Sequence, residues 1–326
     1  MYDIIIVGAG PAGATLARLI GSDYKILLLD RRELIKDKSS SFEKCCGGLI
    51  APDAQNMLAK LGLGVPKEVL TGPQLFTVRT IDVQSNIERY YQRHYININR
   101  ELFDRWLVSL IPSSVDSRFG ILYNSYEIGN GNIKIHFHHN NREYSEETKY
   151  LIGADGAYST IRRQLAPNFY QKSYISIQEW FKVSQNQPYF SAIFDNKISD
   201  FYSWTIPKED NLIVGSALLP KDNVYEKFNL LKQTLIQHGF KFQASIKKNG
   251  AFIIRPKSIK QVFVGCKNIT LIGEAAGWIS PTSAEGLSYA FRSAVALAKS
   301  LKEFPENLSK KYFKNTQDLR LNIIKI

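Results

Sequence analysis

The chain has 326 residues, 44% of them hydrophobic, which excludes a disordered or collagen-like protein and leaves room for two domains with cores of their own. Lysine and arginine total 42 against 30 acidic residues, and the net charge of +12 suits anionic lipid, nucleic acid or a phosphorylated substrate. Three cysteines, two of them adjacent, make no disulfide framework, and no run reaches the ~20 uncharged apolar residues of a membrane span.

The first residues, with an acid at position 3, do not read as a signal peptide, so the expected compartment is the cytoplasm. They read as a strand over residues 3–7, followed by Gly8-Ala9-Gly10-Pro11-Ala12-Gly13, a helix over 14–20, and a strand over 25–29 that ends on Asp30. This is the G-x-G-x-x-G turn between strand and helix, with an acid after the second strand. Gly8 permits the tight turn, Gly10 leaves a pyrophosphate unobstructed, and Gly13 lets the helix lie close on the sheet. The helix N-terminus offers unpaired N–H groups and partial positive charge to phosphates. Asp30 is placed to accept hydrogen bonds from a ribose diol. Arg31, which follows it with Arg32, suits adenine stacking or a phosphate contact, with a solvated turn as the alternative.

Residues 52–63 read as a helix, 75–83 and 87–95 as a hairpin closing near Ser85-Asn86, and 100–111 as a helix with Leu102, Phe103, Trp106, Leu107 and Leu110 on one side. Three short strands follow, turning at Asn130-Gly131 and Asn140-Asn141. His136, His138 and His139 lie in this region. Alternate histidines suit a metal, but no partner ligands accompany them, so a surface strand is expected. A strand over 150–152 leads into Gly153-Ala154-Asp155-Gly156, with Ser159 placed to cap the next helix. Asp155 can accept from sugar hydroxyls or hold the turn's own amides.

Residues 174–183, 189–194, 202–206 and 212–218 read as antiparallel strands, with Lys208-Glu209-Asp210-Asn211 as a turn. Tyr202 and Trp204 share a face, which walls a cavity or packs a core. A helix over 225–238 follows. A strand over 269–272 then runs into Gly273-Glu274-Ala275-Ala276-Gly277, whose small residues admit a ligand against the backbone. Gly286 and Leu287 begin a helix reaching residue 301, and its N-terminus suits a ring oxygen of partial negative charge. Lys299, Lys302, Lys310, Lys311 and Lys314 alternate with apolar residues, as a solvated face or a membrane-surface face would. Residues 320–326 read as a helix cut short, compatible with a longer natural chain.

Taken together, G-x-G-x-x-G at the start, Gly153-Ala154-Asp155-Gly156-x-x-Ser159-x-x-Arg162 in the middle and Gly273-Glu274-Ala275-Ala276-Gly277 late resemble the FAD-dependent hydroxylase superfamily of the p-hydroxybenzoate hydroxylase fold. Arg100-x-x-Phe103-Asp104-x-x-Leu107 is similar to its Arg-x-x-x-Asp helix, whose Arg reaches toward the flavin's linking chain. Glu274 stands where the family usually has Asp. Lys44-Cys45-Cys46-Gly47-Gly48 and Tyr202-Ser203-Trp204-Thr205-Ile206-Pro207 resemble the geranylgeranyl reductase branch, and within it bacterial proteins named for colicin M resistance.

The resemblance implies an α/β fold: a Rossmann-like FAD-binding domain with an inserted antiparallel β-sheet substrate domain. The FAD-binding parts are expected at 1–74, 100–168 and 259–326, the substrate parts at 75–99 and 169–258. It implies FAD held by Gly8, Gly10, Pro11, Ala12, Gly13, Asp30, Arg31, Gly47, Arg100, Asp155, Gly273, Glu274, Ala275, Gly286 and Leu287, with NAD(P)H or another reductant as electron donor. Tyr202 and Trp204 then line a substrate cavity. Cys46 is the candidate catalytic residue, a redox-active or proton-delivering thiol whose pKa Lys44 or a helix N-terminus would lower; the alternative is a small residue fitted under the ring. A vicinal Cys45–Cys46 disulfide is disfavoured in the cytoplasm, and Cys266 reads as structural.

The implied activity is flavin hydride transfer to carbon–carbon double bonds of an isoprenoid or other lipid-like substrate. A monooxygenase or halogenase of the same superfamily is the first alternative, although Tyr202 replaces the first Trp of the halogenase Trp-x-Trp-x-Ile-Pro segment. A non-catalytic flavin-containing lipid-binding protein is the second. No basic-aromatic nucleic-acid motif is present. A peripheral contact with the inner membrane surface suits the lysines, and the oligomeric state is left open.

Overall fold

The computed structural model describes residues 1–35, 44–129, 131–303 and 307–324. Asn130 of one expected turn and the last two residues of the expected C-terminal helix, 325–326, lie outside them.

The chain begins with β1 (Tyr2–Val7), α1 (Pro11–Ile20) and β2 (Ile26–Asp30), then β3 (Leu49–Ile50), α2 (Pro52–Lys60), β4 (Leu75–Asp82), β5 (Ile87–Asn97) and α3 (Arg100–Ser109). Next come β6 (Asp116–Phe119), β7 (Leu122–Gly129), β8 (Asn132–His139), β9 (Arg142–Gly153) and α4 (Thr160–Leu165). After these lie β10 (Ser173–Lys182), β11 (Phe190–Phe194), β12 (Ser203–Lys208), β13 (Asn211–Leu218), α5 (Val224–Gln237) and β14 (Ser245–Ile254). The last elements are β15 (Gly265–Cys266), β16 (Ile269–Leu271), α6 (Leu287–Leu301), α7 (Leu308–Asn315) and α8 (Gln317–Ile324).

Two compact units share these elements. The first comprises Met1–Glu43, Asp104–Lys172 and Ile254–Ile326; the second comprises Lys44–Phe103 and Ser173–Ile253. The first unit holds a sheet in the order β15-β16-β9-β1-β2-β6. β16, β9, β1, β2 and β6 run parallel. Ile4, Ile5, Ile6, Leu27, Leu28, Leu29, Leu151, Ile152 and Leu271 are all fully buried, as parallel strands covered on both faces require. β9 is longer than its sequence reading because it has two partners in turn. Its first half pairs antiparallel with β8, and its last residues run parallel to β1.

The second unit holds a sheet in the order β14-β10-β13-β12-β11-β4-β5-β3. β10, β13, β12 and β11 pair antiparallel, and β11 meets β4 in parallel. One face carries Ile81, Phe181, Ile193, Leu212, Val214 and Leu218 against Phe228, Leu231 and Leu235 of α5. Two sequence expectations change here. Residues 44–74, grouped above with the nucleotide-binding part, fall in the second unit from Lys44 onward, because β3 pairs with β5 and Leu70 bridges to Ile98. Lys208 is not a turn residue: it ends β12 opposite Asn211, and the turn is Glu209-Asp210, with Glu209 at φ +52°.

Candidate functional site

The first unit brings the three glycine-rich turns together. The Gly8 backbone, at φ +108°, lies so close to the end of β9 that a Cβ there would meet Ala154 O at 2.3 Å. A Cβ on Gly13 would sit 1.8 Å from Gly8 O, so only glycine lets α1 cross the strand ends at this height. Gly10 differs: among the described residues the one atom within 4 Å of an added Cβ is Arg32 Nη2 at 4.0 Å. Gly10 is the N-cap of α1, with Pro11 following, no side-chain cap and no acid in the first turn. The helix N-terminus therefore keeps its partial positive charge and N–H groups for an anion.

Asp30 accepts from the Ala9 N–H through Oδ2 at 2.7 Å, tying the acid to the turn itself. Its other oxygen accepts from the Arg32 backbone N–H at 2.8 Å. Arg32, not the exposed Arg31, is the arginine of this corner: its guanidinium bridges Asp30 at 3.2 Å and the buried Asp104 at 2.7 Å. Burial disfavours the Arg32 charge, yet these two carboxylates raise its pKa above the usual arginine value.

At the middle turn, Asp155 Oδ2 accepts from the Thr160 N–H at 2.8 Å and Ser159 Oγ from the Arg162 N–H at 3.0 Å, so both residues cap α4. Asp155 Oδ1 is buried with no hydrogen-bond partner among the described residues. Burial raises the Asp155 carboxyl above the usual range, although the α4 amides oppose it. Arg162 donates to Ala157 O and to Ala275 O, each at 2.6 Å, and so fastens the middle turn to the late one. Gly273, at φ +57°, has Ala12 Cβ 2.9 Å from where its own Cβ would lie. Glu274 accepts from the Ile254 N–H at 3.2 Å. Gly286 caps α6 without a side-chain hydrogen bond or an acid in the first turn, which begins at Leu287.

The second unit holds Cys46, Gly47, Arg100, Tyr202 and Trp204. Cys46 Sγ accepts from Arg100 Nη1 at 3.2 Å and from the Gly48 N–H at 3.4 Å. Burial pushes this thiol up, but the Arg100 charge, the Gly48 N–H and Lys44 outweigh it and hold the pKa below the usual cysteine value. Arg100 thus meets a sulfur that the sequence motifs did not connect to it. Cys45 is the opposite case: it donates to Ser176 O at 3.7 Å, and burial pushes it up to about 12. All three cysteines are free thiols.

Tyr202 and Trp204 share a face with Ile206 and Lys208 by strand alternation. It is the face opposite the α5 core. A Cβ on Gly47 would meet Ile206 Cδ1 at 2.3 Å, so the Gly47-Gly48 segment lies on that same face. Tyr202 and Trp204 have ring centroids 5.5 Å apart, and Phe201 stands edge-on to Tyr202 at 4.8 Å. Lys208, which sequence reading placed in a turn, is buried; Nζ donates to Gly48 O at 3.0 Å, to Ile98 O at 2.7 Å and to Asn97 Oδ1. Burial pushes the Lys208 amine down to about 7, with Cys46 and Glu209 opposing. Among the described residues no group of three His, Cys, Asp or Glu side chains is placed to hold a metal.

The family model described as FAD binding domain matches residues 116–310. Protein CbrA of Escherichia coli strain K12 is 39% identical over 322 residues, covering 99% of this chain and 90% of that protein. A geranylgeranyl bacteriochlorophyll reductase-like protein from Thermoplasma acidophilum superposes with a TM-score of 0.85 at 20% identity, covering 99% of this chain and 85% of that one. The flavin-dependent brominase Bmp2 superposes with a TM-score of 0.73 at 17% identity, covering 98% and 83%.

Proposed function

Because the chain belongs to the FAD binding domain family and is a relative of the CbrA proteins, with the fold of the p-hydroxybenzoate hydroxylase superfamily, we propose that it reduces carbon–carbon double bonds of an isoprenoid or other lipid-like substrate. The first unit's residues fit the coenzyme. Gly10 leaves open space beside an uncapped helix N-terminus, Asp30 and Glu274 supply acceptors, and the buried Asp155 Oδ1 has a lone pair without a donor. Gly8, Pro11, Ala12, Gly13, Gly273, Ala275, Gly286 and Leu287 belong to the same turns of this unit. Bound FAD would supply the two electrons of the reduction, with NAD(P)H or another reductant replenishing them.

The observation that carries the reading is the Trp204 face of the second sheet, where an aromatic and aliphatic wall of Tyr202, Trp204 and Ile206 meets the segment that bears Cys46. The wall suits an apolar chain. Cys46 Sγ holds a proton beside two donors, Arg100 and the Gly48 N–H, that stabilise the thiolate left when it leaves. Such a thiol is an acid for a carbon centre, re-protonated afterwards from solvent. Lys299, Lys302, Lys310, Lys311 and Lys314 suit a peripheral contact with anionic lipid, which would supply such a substrate.

The test is anaerobic. Protein reduced beforehand is mixed with prenyl alcohols, prenyl quinols or prenyl diphosphates, and flavin absorbance is followed. Return of the oxidised spectrum, with product heavier by two hydrogens per bond, is the expected result. No reoxidation with any polyprenyl compound removes the reductase reading. Substrate-stimulated oxygen uptake would favour an oxygenase, and equal affinity in both redox states without turnover a binding protein.

A further inference from the structure

We propose that the Trp204 face recognises a neutral hydroxyl on its lipid-like ligand, with Trp204 Nε1 donating to the hydroxyl oxygen and Gln178 Oε1 accepting its proton. This deepens the reading above and rests on it. An isoprenoid alcohol or quinol fits such a site, and an isoprenoid diphosphate does not.

The strand register assembles the site. Gln178 lies opposite Gly215, and Gly215 opposite Trp204, so the three form a row across β10, β13 and β12. Side chains in such a row share one face. The middle position has no side chain. A Cβ there would lie 2.3 Å from both Nε1 and Cε2 of Trp204, so the N–H edge of the indole lies over the glycine that separates Trp204 from Gln178 in the row. The backbones of β10 and β12 are about 10 Å apart with β13 between them.

Both ends of the gap need a partner. Trp204 is 8% exposed and Gln178 2%, and neither Trp204 Nε1 nor Gln178 Oε1 has a hydrogen-bond partner among the described residues. Buried polar atoms are ordinarily paired, and unpaired ones call for a polar partner from outside the chain, water or ligand. One donor and one acceptor are complemented together by a hydroxyl, which accepts and donates through a single oxygen. A carbonyl or ether satisfies Nε1 alone. Phosphate oxygens satisfy Nε1 but bring negative charge against the Oε1 lone pairs. In one direction the row continues through Ala192 and Thr80 to Arg89, which is exposed and lies three strands from Trp204; in the other, Lys247 of β14 is engaged over the Trp180 ring, 5.7 Å from its centroid. Lys208, on the same face, already donates to three oxygens of its own unit.

The experiment is equilibrium titration of the holoenzyme with farnesol, farnesyl methyl ether and farnesyl diphosphate. Farnesol is expected to bind about tenfold more tightly than the ether, because only the alcohol can donate to Oε1. Gln178→Leu should lower farnesol affinity about tenfold and leave the ether unchanged. Trp204→Phe, which keeps an aromatic side chain but removes the N–H, should weaken both. A loss of packing alone would weaken all three probes equally. Equal affinity for the probes, preference for the diphosphate, no binding by any of them, or an undiminished alcohol preference in Gln178→Leu would each overturn the proposal. The wild-type series decides even if a variant does not fold. Double-bond reduction is read separately by product mass. Its absence alongside an alcohol preference that depends on Gln178 removes the reductase reading and leaves the recognition standing; reduction without that preference does the reverse.

Discussion

Cys45 and Cys46 are chain neighbours, yet their thiols are pushed in opposite directions. Cys45 is buried and donates to a carbonyl, while Cys46 receives a guanidinium N–H and a backbone N–H. Cys46 should therefore alkylate with iodoacetamide at lower pH than Cys45. Arg100→Met removes the neighbouring charge that most favours the thiolate and should move the alkylation midpoint of Cys46 up by about one pH unit or more. Mass mapping of the modified peptide across pH checks this, and an unmoved midpoint would mean that Arg100 does not set the thiol's acidity. Lys208 makes a second residue-scale prediction. Its folded pKa, about 7, lies below the ordinary lysine value, so between pH 7 and that value the unfolded chain binds more protons than the folded one. Stability must then rise with pH across this window, by about 1.4 kcal/mol per pH unit where a full proton differs. Cys46, also lowered, contributes with the same sign between its folded pKa and the ordinary thiol value. Lys208→Met should flatten the rise in denaturant midpoint on the alkaline side; a slope equal to wild type would show that the amine titrates normally.

At the scale of the element, the α1 turn separates two jobs that glycine performs. Gly13 faces Gly8 O at 1.8 Å from any added Cβ, a backbone atom that no rotamer change can move aside. Gly13→Ala should lift α1 from the strand ends and cost about 3 kcal/mol or more, seen as a large fall in melting temperature with or without FAD. Gly10→Ala meets open space, so the coenzyme-free protein should melt within a few degrees of wild type, an N-cap Gly-to-Ala change costing only about 1 kcal/mol or less. FAD affinity should nonetheless fall at least about tenfold, because the methyl occupies the approach of the pyrophosphate. Unchanged FAD affinity in Gly10→Ala would mean that the pyrophosphate lies elsewhere. These turns were legible in the sequence because each is a contiguous string whose work is done by backbone. The parallel sheet and the antiparallel sheet were legible for a related reason, since apolar runs and alternation are local. Other features depend on register or on distant partners. The Cys46–Arg100 contact joins residues 54 apart, and the Gln178-Gly215-Trp204 row exists only once three strands are aligned. Lys208 read as part of a polar turn because its neighbours are Glu209 and Asp210. Ser245–Ile254 went unnoticed as a strand because its residues alternate between exposed and half-buried without an apolar stripe.

The molecule as a whole carries twelve more basic than acidic residues, and part of that excess is concentrated near the C-terminus. Lys299, Lys302, Lys310 and Lys314 are exposed, and Phe313, Leu321 and Ile324 are exposed apolar neighbours in the chain. No helix of the described residues is long and apolar enough to cross a membrane, so any association of this segment with lipid would have to be interfacial. Each lysine near an anionic surface contributes about 1 kcal/mol, an attraction that decays within a Debye length of about 10 Å at moderate salt. Net charge alone would draw the protein to any polyanion, and the local cluster makes a narrower demand. Sedimentation with phosphatidylserine-containing vesicles should be strong at low salt, weak at high salt and absent with phosphatidylcholine alone. Replacing Lys310 and Lys314 with Glu shifts the net charge by four, and so does the same exchange at Lys134 and Lys182, which lie elsewhere in the sequence. If the cluster is the lipid-facing element, the first pair should abolish sedimentation and the second should reduce it only slightly. Equal losses from the two pairs would show that the attraction is a property of total charge, and that the C-terminal helices have no privileged place at the membrane.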